Sequence, residues 1–81
     1  MERRVAVISI ILKDSSTSES LNGILHEYGE YIIGRMGVPY REKGLRIISV
    51  AIDAPSDVIN AMSGKIGRLK NVSSKVAYAN E

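Results

Sequence analysis

The sequence is poor in side chains that catalyse reactions or bind metals. It contains no cysteine and a single histidine, His26. Without cysteine the chain has no disulfide, thiolate metal site, iron–sulfur ligand or cysteine nucleophile. A lone histidine without cysteine also lacks the companions that usually complete a transition-metal site. Helical spacing places His26 opposite an apolar stripe, which is typical of a surface residue. We therefore expect no metal and no cofactor.

The acidic and hydroxyl side chains do not form a recognisable catalytic group. Asp53 and Asp57 flank the expected start of a helix, where capping and the helix dipole account for both of them. Ser15, Ser16 and Ser18 have no neighbouring base to activate a hydroxyl, so helix capping is again the simpler role. The sequence therefore predicts a protein that is not an enzyme and has no catalytic residues.

Positive charge is concentrated in one segment that is also rich in glycine. Arg35, Arg41, Lys43 and Arg46 surround Tyr40. Such a cluster can bind an anionic metabolite or a partner's acidic surface, or it can mark a solvated loop. The glycines either allow a close approach to a ligand or mark a bulge in an edge strand. The candidate ligand-binding residues are Gly34, Arg35, Gly37, Tyr40, Arg41 and Lys43.

Hydrophobic periodicity predicts six elements in the order β-α-β-β-α-β. Apolar, β-branched runs predict strands at 5–12, 31–36, 45–52 and 72–78. Helical spacing of apolar residues predicts a first helix over 17–28, with Gly29 as its C-cap. A second helix should open at Asp53-Ala54-Pro55 and end near Gly67.

This order predicts an α+β, ferredoxin-like βαββαβ sandwich, in which two helices cover one face of a four-stranded antiparallel sheet. The whole chain, 1–81, should form a single domain. Strands one and three are the most continuously apolar, so they should be central. The polar or glycine-interrupted strands two and four should be the edges.

The face of this sheet without helices should be apolar as well, because strands one and three are apolar at both alternating positions. A soluble monomer rarely exposes so large an apolar patch. We therefore expect this face to pack against another sheet in a homo-oligomer, either a dimer or a tetramer. The expected interface residues are Val5, Val7, Ser9, Ile11, Leu45, Ile47 and Ser49.

Other uses of this fold lack their required residues. RNA-recognition modules need aromatic residues on the central strands, and the chain has no Phe or Trp. A net charge of +2 is too mild to indicate a nucleic-acid footprint by itself. The first apolar run is too short to span a membrane and has no signal-peptide cleavage site. The sequence thus favours a cytoplasmic protein without a membrane contact.

Two segments resemble a known family. HEYGEYIIGRMGVPYREKG (26–44) and SVAIDAPSDVINAMSGKIG (49–67) are similar to the two halves of the iron-only hydrogenase system regulators. The resemblance covers nearly the whole chain. It implies an ACT-like regulatory domain that acts on an iron-only hydrogenase system.

The chain is also distantly similar to the C-terminal, effector-binding domain of nickel-responsive repressors, which is ACT-like and tetrameric. The nickel ligands of those repressors would fall near Tyr31, Gly37, Pro39 and Gly44, none of which is His or Cys. The resemblance therefore implies the oligomeric scaffold without nickel. The chain begins at the first strand, without the repressors' ribbon-helix-helix module, so we do not expect direct sequence-specific DNA binding.

Two functions remain open from the sequence. The first is a non-catalytic regulatory domain, a transcriptional regulator of the hydrogenase system, that forms a homo-oligomer and binds a small effector or acts through a partner protein. The second is a nucleic-acid-binding accessory protein that uses Arg35, Arg41, Lys43 and Arg46. A steep salt dependence of nucleic-acid binding would favour the second.

Overall fold

A computed structural model describes residues 2–13 and 15–80. Its strands and helices follow the predicted order. The strands are β1 (Arg3–Leu12), β2 (Ile32–Tyr40), β3 (Leu45–Pro55) and β4 (Val72–Tyr78). The helices are α1 (Ser18–Glu27) and α2 (Ser56–Gly67). Short 3₁₀ helices occupy Ser15–Thr17, Gly29–Tyr31 and Arg41–Lys43.

The four strands form one antiparallel sheet in the order β2-β3-β1-β4. β1 and β3 are central, and the two strands that sequence reasoning assigned to the edges lie there. The predicted topology and fold class are therefore confirmed. The central pair is in register from Arg3 opposite Pro55 to Leu12 opposite Arg46.

The hydrophobic core lies between the sheet and the two helices. Alternate residues of the central strands are buried on this side, including Ile8, Ile10 and Val50. α1 contributes Leu21 and Leu25 to the same core, and α2 contributes Ile59, Met62 and Ile66. Each helix thus places one apolar stripe on the sheet, as the helical spacing of these residues requires.

The start of α2 differs from the sequence prediction. Asp53 was expected to cap this helix, but it lies within β3, opposite Val5. The helix begins at Ser56, and Pro55 precedes it without a side-chain cap. β1 begins at Arg3, two residues earlier than predicted, and its additional backbone groups pair with β3 as far as Pro55. Asp57 does lie in the first turn of the helix, where its charge suits the helix dipole.

β2 is longer than predicted and contains Gly37 and Pro39, which lie beyond the predicted strand 31–36. Proline is tolerated there because β2 is an edge strand, so the missing N–H does not interrupt a ladder on both sides. The pairing register shifts between Ile32 and Gly34. The interruption at this glycine is therefore a bulge in the edge strand, one of the two readings that the sequence left open.

The ends of α1 differ from the sequence prediction. Thr17 precedes the helix with helical φ and ψ of −86° and −13°, and its side chain makes no capping hydrogen bond. The hydroxyl of Thr17 instead donates a hydrogen bond to the carbonyl oxygen of Lys70, at 3.1 Å. Tyr28 occupies the C-cap position, and Gly29 begins a 3₁₀ turn rather than adopting positive φ. The side chain of Ser15, another predicted cap, lies outside the described residues.

We predict that Thr17→Val lowers the free energy of unfolding by about 1–2 kcal/mol. The side chain of Thr17 is buried, and valine preserves its shape but leaves the carbonyl of Lys70 without this donor. Thermal denaturation measures the loss. Ser20→Val, at an exposed position of α1, is the control for introducing a β-branched residue. Equal losses in the two variants would contradict a role for the hydrogen bond.

The two helices are joined at their surface by an ion pair. Lys65 Nζ lies 2.8 Å from Glu27 Oε2, and both side chains are substantially exposed. Hydrogen bonds to Glu27 and then to Tyr28 raise the pKa of Lys65 above its ordinary value of 10.5. A raised folded-state pKa means that the pair's contribution is complete below pH 10.5 and disappears as the pH rises through the folded value. Solvent screening keeps that contribution small.

Candidate functional site

The sheet surface opposite the helices is the first candidate site, and we call it the open face. Residues paired across antiparallel strands project to the same side, so the register defines this surface. Its central rows join β1 to β3 and contain Val7 with Ala51, Ser9 with Ser49, and Ile11 with Ile47. β2 extends these rows with Gly34, Met36, Val38 and Tyr40, and β4 extends them with Ser73, Lys75 and Ala77.

Large apolar side chains remain exposed across the open face. The exposed fraction is 45% for Ile11, 43% for Ile47, 45% for Val38 and 64% for Met36. These residues lie on three adjacent strands, so they form a continuous apolar surface rather than isolated contacts with solvent. The interface residues expected from the sequence all lie on this face, with Val5, Ser9, Ile11 and Ile47 exposed and the remaining three, Val7, Leu45 and Ser49, partly buried.

The middle of the open face carries no charge. Ser9 and Ser49 pair at its centre, with aliphatic residues on either side along both strands. Among the described residues of this face, Lys75 supplies a charge on the edge strand β4, where it pairs with Ser9. Asp53 and Arg3 lie at one end of the central strands, beyond Ala51 and Val7. The surface can therefore accept an apolar partner without placing a charge in the buried centre.

The second candidate site, predicted around the β2–β3 hairpin, is divided by the structure. Gly34 and Tyr40 lie on the open face, whereas Arg35 and Gly37 belong to the opposite parity of β2. Arg35 donates a hydrogen bond of 3.4 Å to the side-chain oxygen of Asn22. Arg41 and Lys43 lie in the 3₁₀ turn at the tip. The six predicted residues therefore do not converge on one ligand.

A cleft of about 440 Å³ does lie at this end of the sheet, and we call it the cationic cleft. It lies where the end of β1, the end of β2 and the start of β3 meet. Its lining residues are Leu12, Lys13, Pro39, Arg41, Gly44, Leu45 and Arg46. Of the six predicted ligand-binding residues, Arg41 lines this cleft.

Sequence reasoning missed Lys13 as a member of this cluster. Lys13 is distant in sequence from the hairpin, but it follows Leu12, which pairs with Arg46. The register that joins the end of β1 to the start of β3 therefore brings Lys13 and Arg46 to one cleft. The sequence predicts that strands one and three are adjacent and antiparallel, but placing Lys13 near Arg46 also requires their exact register.

Gly44 fixes the turn beside the cationic cleft. Its φ of 63° lies in the left-handed region, and its N–H donates to the carbonyl of Arg41 at 3.1 Å. We predict that Gly44→Ala lowers the free energy of unfolding by about 1 kcal/mol, because a Cβ disfavours this conformation. Urea denaturation measures the change. Gly29→Ala is the control, since Gly29 has no positive φ and has open space around it. A loss no greater for Gly44→Ala would contradict this account.

The described residues contain neither a cluster of metal ligands nor a membrane-spanning helix. No group of three or more metal-ligating side chains occurs within 2–13 and 15–80. Over the same residues, no helix is both long and apolar enough to cross a membrane. His26 is exposed on α1 beside Asn22 and Arg35, in agreement with its predicted surface position.

The sheet order and the two helices on one face define a ferredoxin-like, ACT-like α+β domain. A family model matches residues 4–76, and its description is "TM1266-like: Iron-only hydrogenase system regulator, putative". The chain therefore belongs to the TM1266-like family, as the sequence resemblance implied. That description is of a regulator rather than an enzyme, and it connects the family with the iron-only hydrogenase system.

Solved structures agree with this assignment. The structure of TM1266, an uncharacterized protein from Thermotoga maritima, has a TM-score of 0.94 at 30% identity and covers 98% of this chain and 100% of its own. A formyltetrahydrofolate deformylase from Pseudomonas putida has a TM-score of 0.69 at 12% identity, over 95% of this chain and 29% of its own. The second likeness shows a shared fold alone. No curated protein sequence matches the chain.

Proposed function

We propose that this protein is a non-catalytic regulator of an iron-only hydrogenase system that works as a homo-oligomer. The observation that carries this proposal is the open face, an apolar and centrally uncharged sheet surface. Family membership supports the regulatory role. The fold provides an exposed apolar surface that suits assembly.

A second copy of the chain is the occupant that suits the open face. Two identical open faces related by a two-fold axis would bury Ile11, Val38 and Ile47 of each copy against one another. The absence of charge at the centre means that this packing leaves no unpaired ion there. Lys75 lies at the edge of the surface, where solvent can still reach its charge. Sheet-to-sheet packing of this kind also compensates for the small core of a short chain.

In this proposal, assembly creates the regulatory state and a small effector changes it. We assign the effector site to the cationic cleft, because cationic residues line it. The regulator acts on expression of the hydrogenase system through a partner protein rather than by direct sequence-specific contact with DNA. In this proposal both the protein and its partner are located in the cytoplasm.

Direct nucleic-acid binding is the second candidate function. The observation in its favour is the grouping of Lys13, Arg41 and Arg46 at one end of the sheet. Phosphate contacts by such residues would make the affinity for duplex DNA fall steeply with salt concentration. A salt series of DNA-binding measurements separates this function from regulation by a small effector.

The regulatory role is tested by deleting the gene for this chain in its host. We expect hydrogenase transcript levels or activity per cell to change at least threefold, and the wild-type gene to restore them. A gene carrying Ile47→Glu should not restore them if assembly is required, whereas one carrying Ala61→Glu, at an exposed helix position, should do so. Unchanged transcript and activity after deletion would contradict the proposed function.

A further inference from the structure

We propose that the cationic cleft binds a small organic anion carrying two or more negative charges on carboxylate or phosphate groups. This inference rests on the proposed regulatory function and deepens it by naming the chemical class of the effector. The cleft volume of about 440 Å³ lies within the usual range for small-molecule sites.

Among the described residues, no salt bridge joins an acidic side chain to the cations of the cleft, and Glu42, which follows Arg41 in the 3₁₀ turn, does not line it. Lys13, Arg41 and Arg46 line it, and none of the other lining residues is acidic. Within 2–13 and 15–80, the ion pair that forms joins Lys65 and Glu27 instead. Asp14 lies outside the described residues. Three concentrated cations create a potential that attracts an anion from solution.

One of the cations is already held in position. A terminal nitrogen of Arg46 donates a 2.6 Å hydrogen bond to the hydroxyl oxygen of Ser18, at the start of α1. This acceptor is neutral, so the guanidinium is oriented while its charge remains available. The other donors of its planar fork are suited to a carboxylate or a phosphate.

The backbone around the other two cations is also fixed. The N–H of Lys13 donates to the carbonyl of Asn71 at 2.9 Å, and the turn after Arg41 is closed by the N–H of Gly44. Ordering these segments before a ligand arrives reduces the entropy that binding must overcome. The cleft is therefore a preorganised site, even though its charged side chains reach solvent.

The remaining lining residues define the rest of the ligand. Pro39, which is exposed, and Leu45, which is partly buried, provide apolar surface next to the cations. An organic anion can place its charged groups on Arg41 and Arg46 and its carbon skeleton or ring against these side chains. A concave site with mixed apolar and cationic walls suits such a molecule better than an extended polymer backbone.

Two-dimensional NMR titrations of the full chain with two probes test the inference at constant ionic strength. Citrate represents the carboxylate class, and adenosine 5′-diphosphate represents the phosphate class. We expect saturable amide shifts at residues 12–13 and 40–46 with at least one probe. Arg41→Gln/Arg46→Gln should weaken that binding at least tenfold. Arg41→Gln alone, which disturbs no described side-chain hydrogen bond, should weaken it at least threefold.

Arg4→Gln is the charge-matched control. Arg4 lies opposite Ala54, at the other end of β3 from Arg46, a separation of roughly 27 Å along the strand. This variant should change the affinity less than twofold. An equal loss in Arg4→Gln would show diffuse charge attraction and overturn the inference, as would an absence of saturation with both probes. Preferential binding of a 20-base-pair duplex at the same residues would overturn it in favour of nucleic acid. The mass of the assembly tests the proposed oligomer separately.

Discussion

Ile47→Glu is expected to convert the assembled protein into monomers. Ile47 lies near the centre of the open face, beside Ile11 on β1 and Val38 on β2. In a symmetric assembly the variant would bring two carboxylates into an apolar interface, and removing each from water costs several kcal/mol. We expect the association constant to fall at least about 100-fold. Analytical ultracentrifugation over a concentration series measures this change.

The control for Ile47→Glu is Ala61→Glu, which introduces the same charge at an exposed position of α2. It should leave the sedimentation behaviour unchanged. Circular dichroism should show that both variants remain folded, because Ile47 is 43% exposed and does not belong to the core between the sheet and the helices. An unchanged assembly of the Ile47→Glu protein would mean that another surface carries the oligomer.

Ile10→Ala should cause the largest loss of folding stability, about 2–5 kcal/mol. Ile10 is fully buried on the helix side of β1, between Ile48 on β3 and Ser74 on β4. Truncation removes buried apolar surface and leaves a cavity that the close-packed core can only partly fill. A domain of this size has a total stability of roughly 4–12 kcal/mol, so the loss is a large fraction of it. Urea unfolding in the Ile47→Glu background measures the effect without linkage to assembly.

The adjacent residue provides a matched control. Ile11 has the same side chain on the same strand, but it lies on the open face and is 45% exposed. In the monomeric background, Ile11→Ala should cost about 1 kcal/mol or less. Equal losses for the two alanine variants would contradict the assignment of helix-covered and open faces.

The architecture could be predicted because several independent signals agreed. The near-continuous apolar runs ending at Leu12 and Ile52 indicated central strands, and the interruptions at Gly34 and Lys75 indicated edges. Alternation along β1 then separated the core residue Ile10 from Ile11 on the open face. Successive side chains of a strand point to opposite faces of the sheet. The alternation of residue types along the sequence therefore indicates directly which face each residue occupies.

Element boundaries and the cationic cleft were harder to predict because they depend on pairing between distant segments. Asp53 resembles a helix cap locally, but pairing with Val5 keeps it in β3. The hydroxyl of Thr17 is used by the carbonyl of Lys70, a contact that no local pattern reveals. Lys13 joins the basic hairpin residues only through the register of β1 and β3. Tertiary hydrogen bonds thus override local capping preferences at these sites.

Native mass spectrometry of the purified wild-type protein tests the central claim most directly. The account predicts a dimer or a tetramer at micromolar concentration, and only the monomer mass for Ile47→Glu under the same conditions. A wild-type spectrum with the mass of a single chain, unchanged as the concentration is raised, would contradict assembly through the open face.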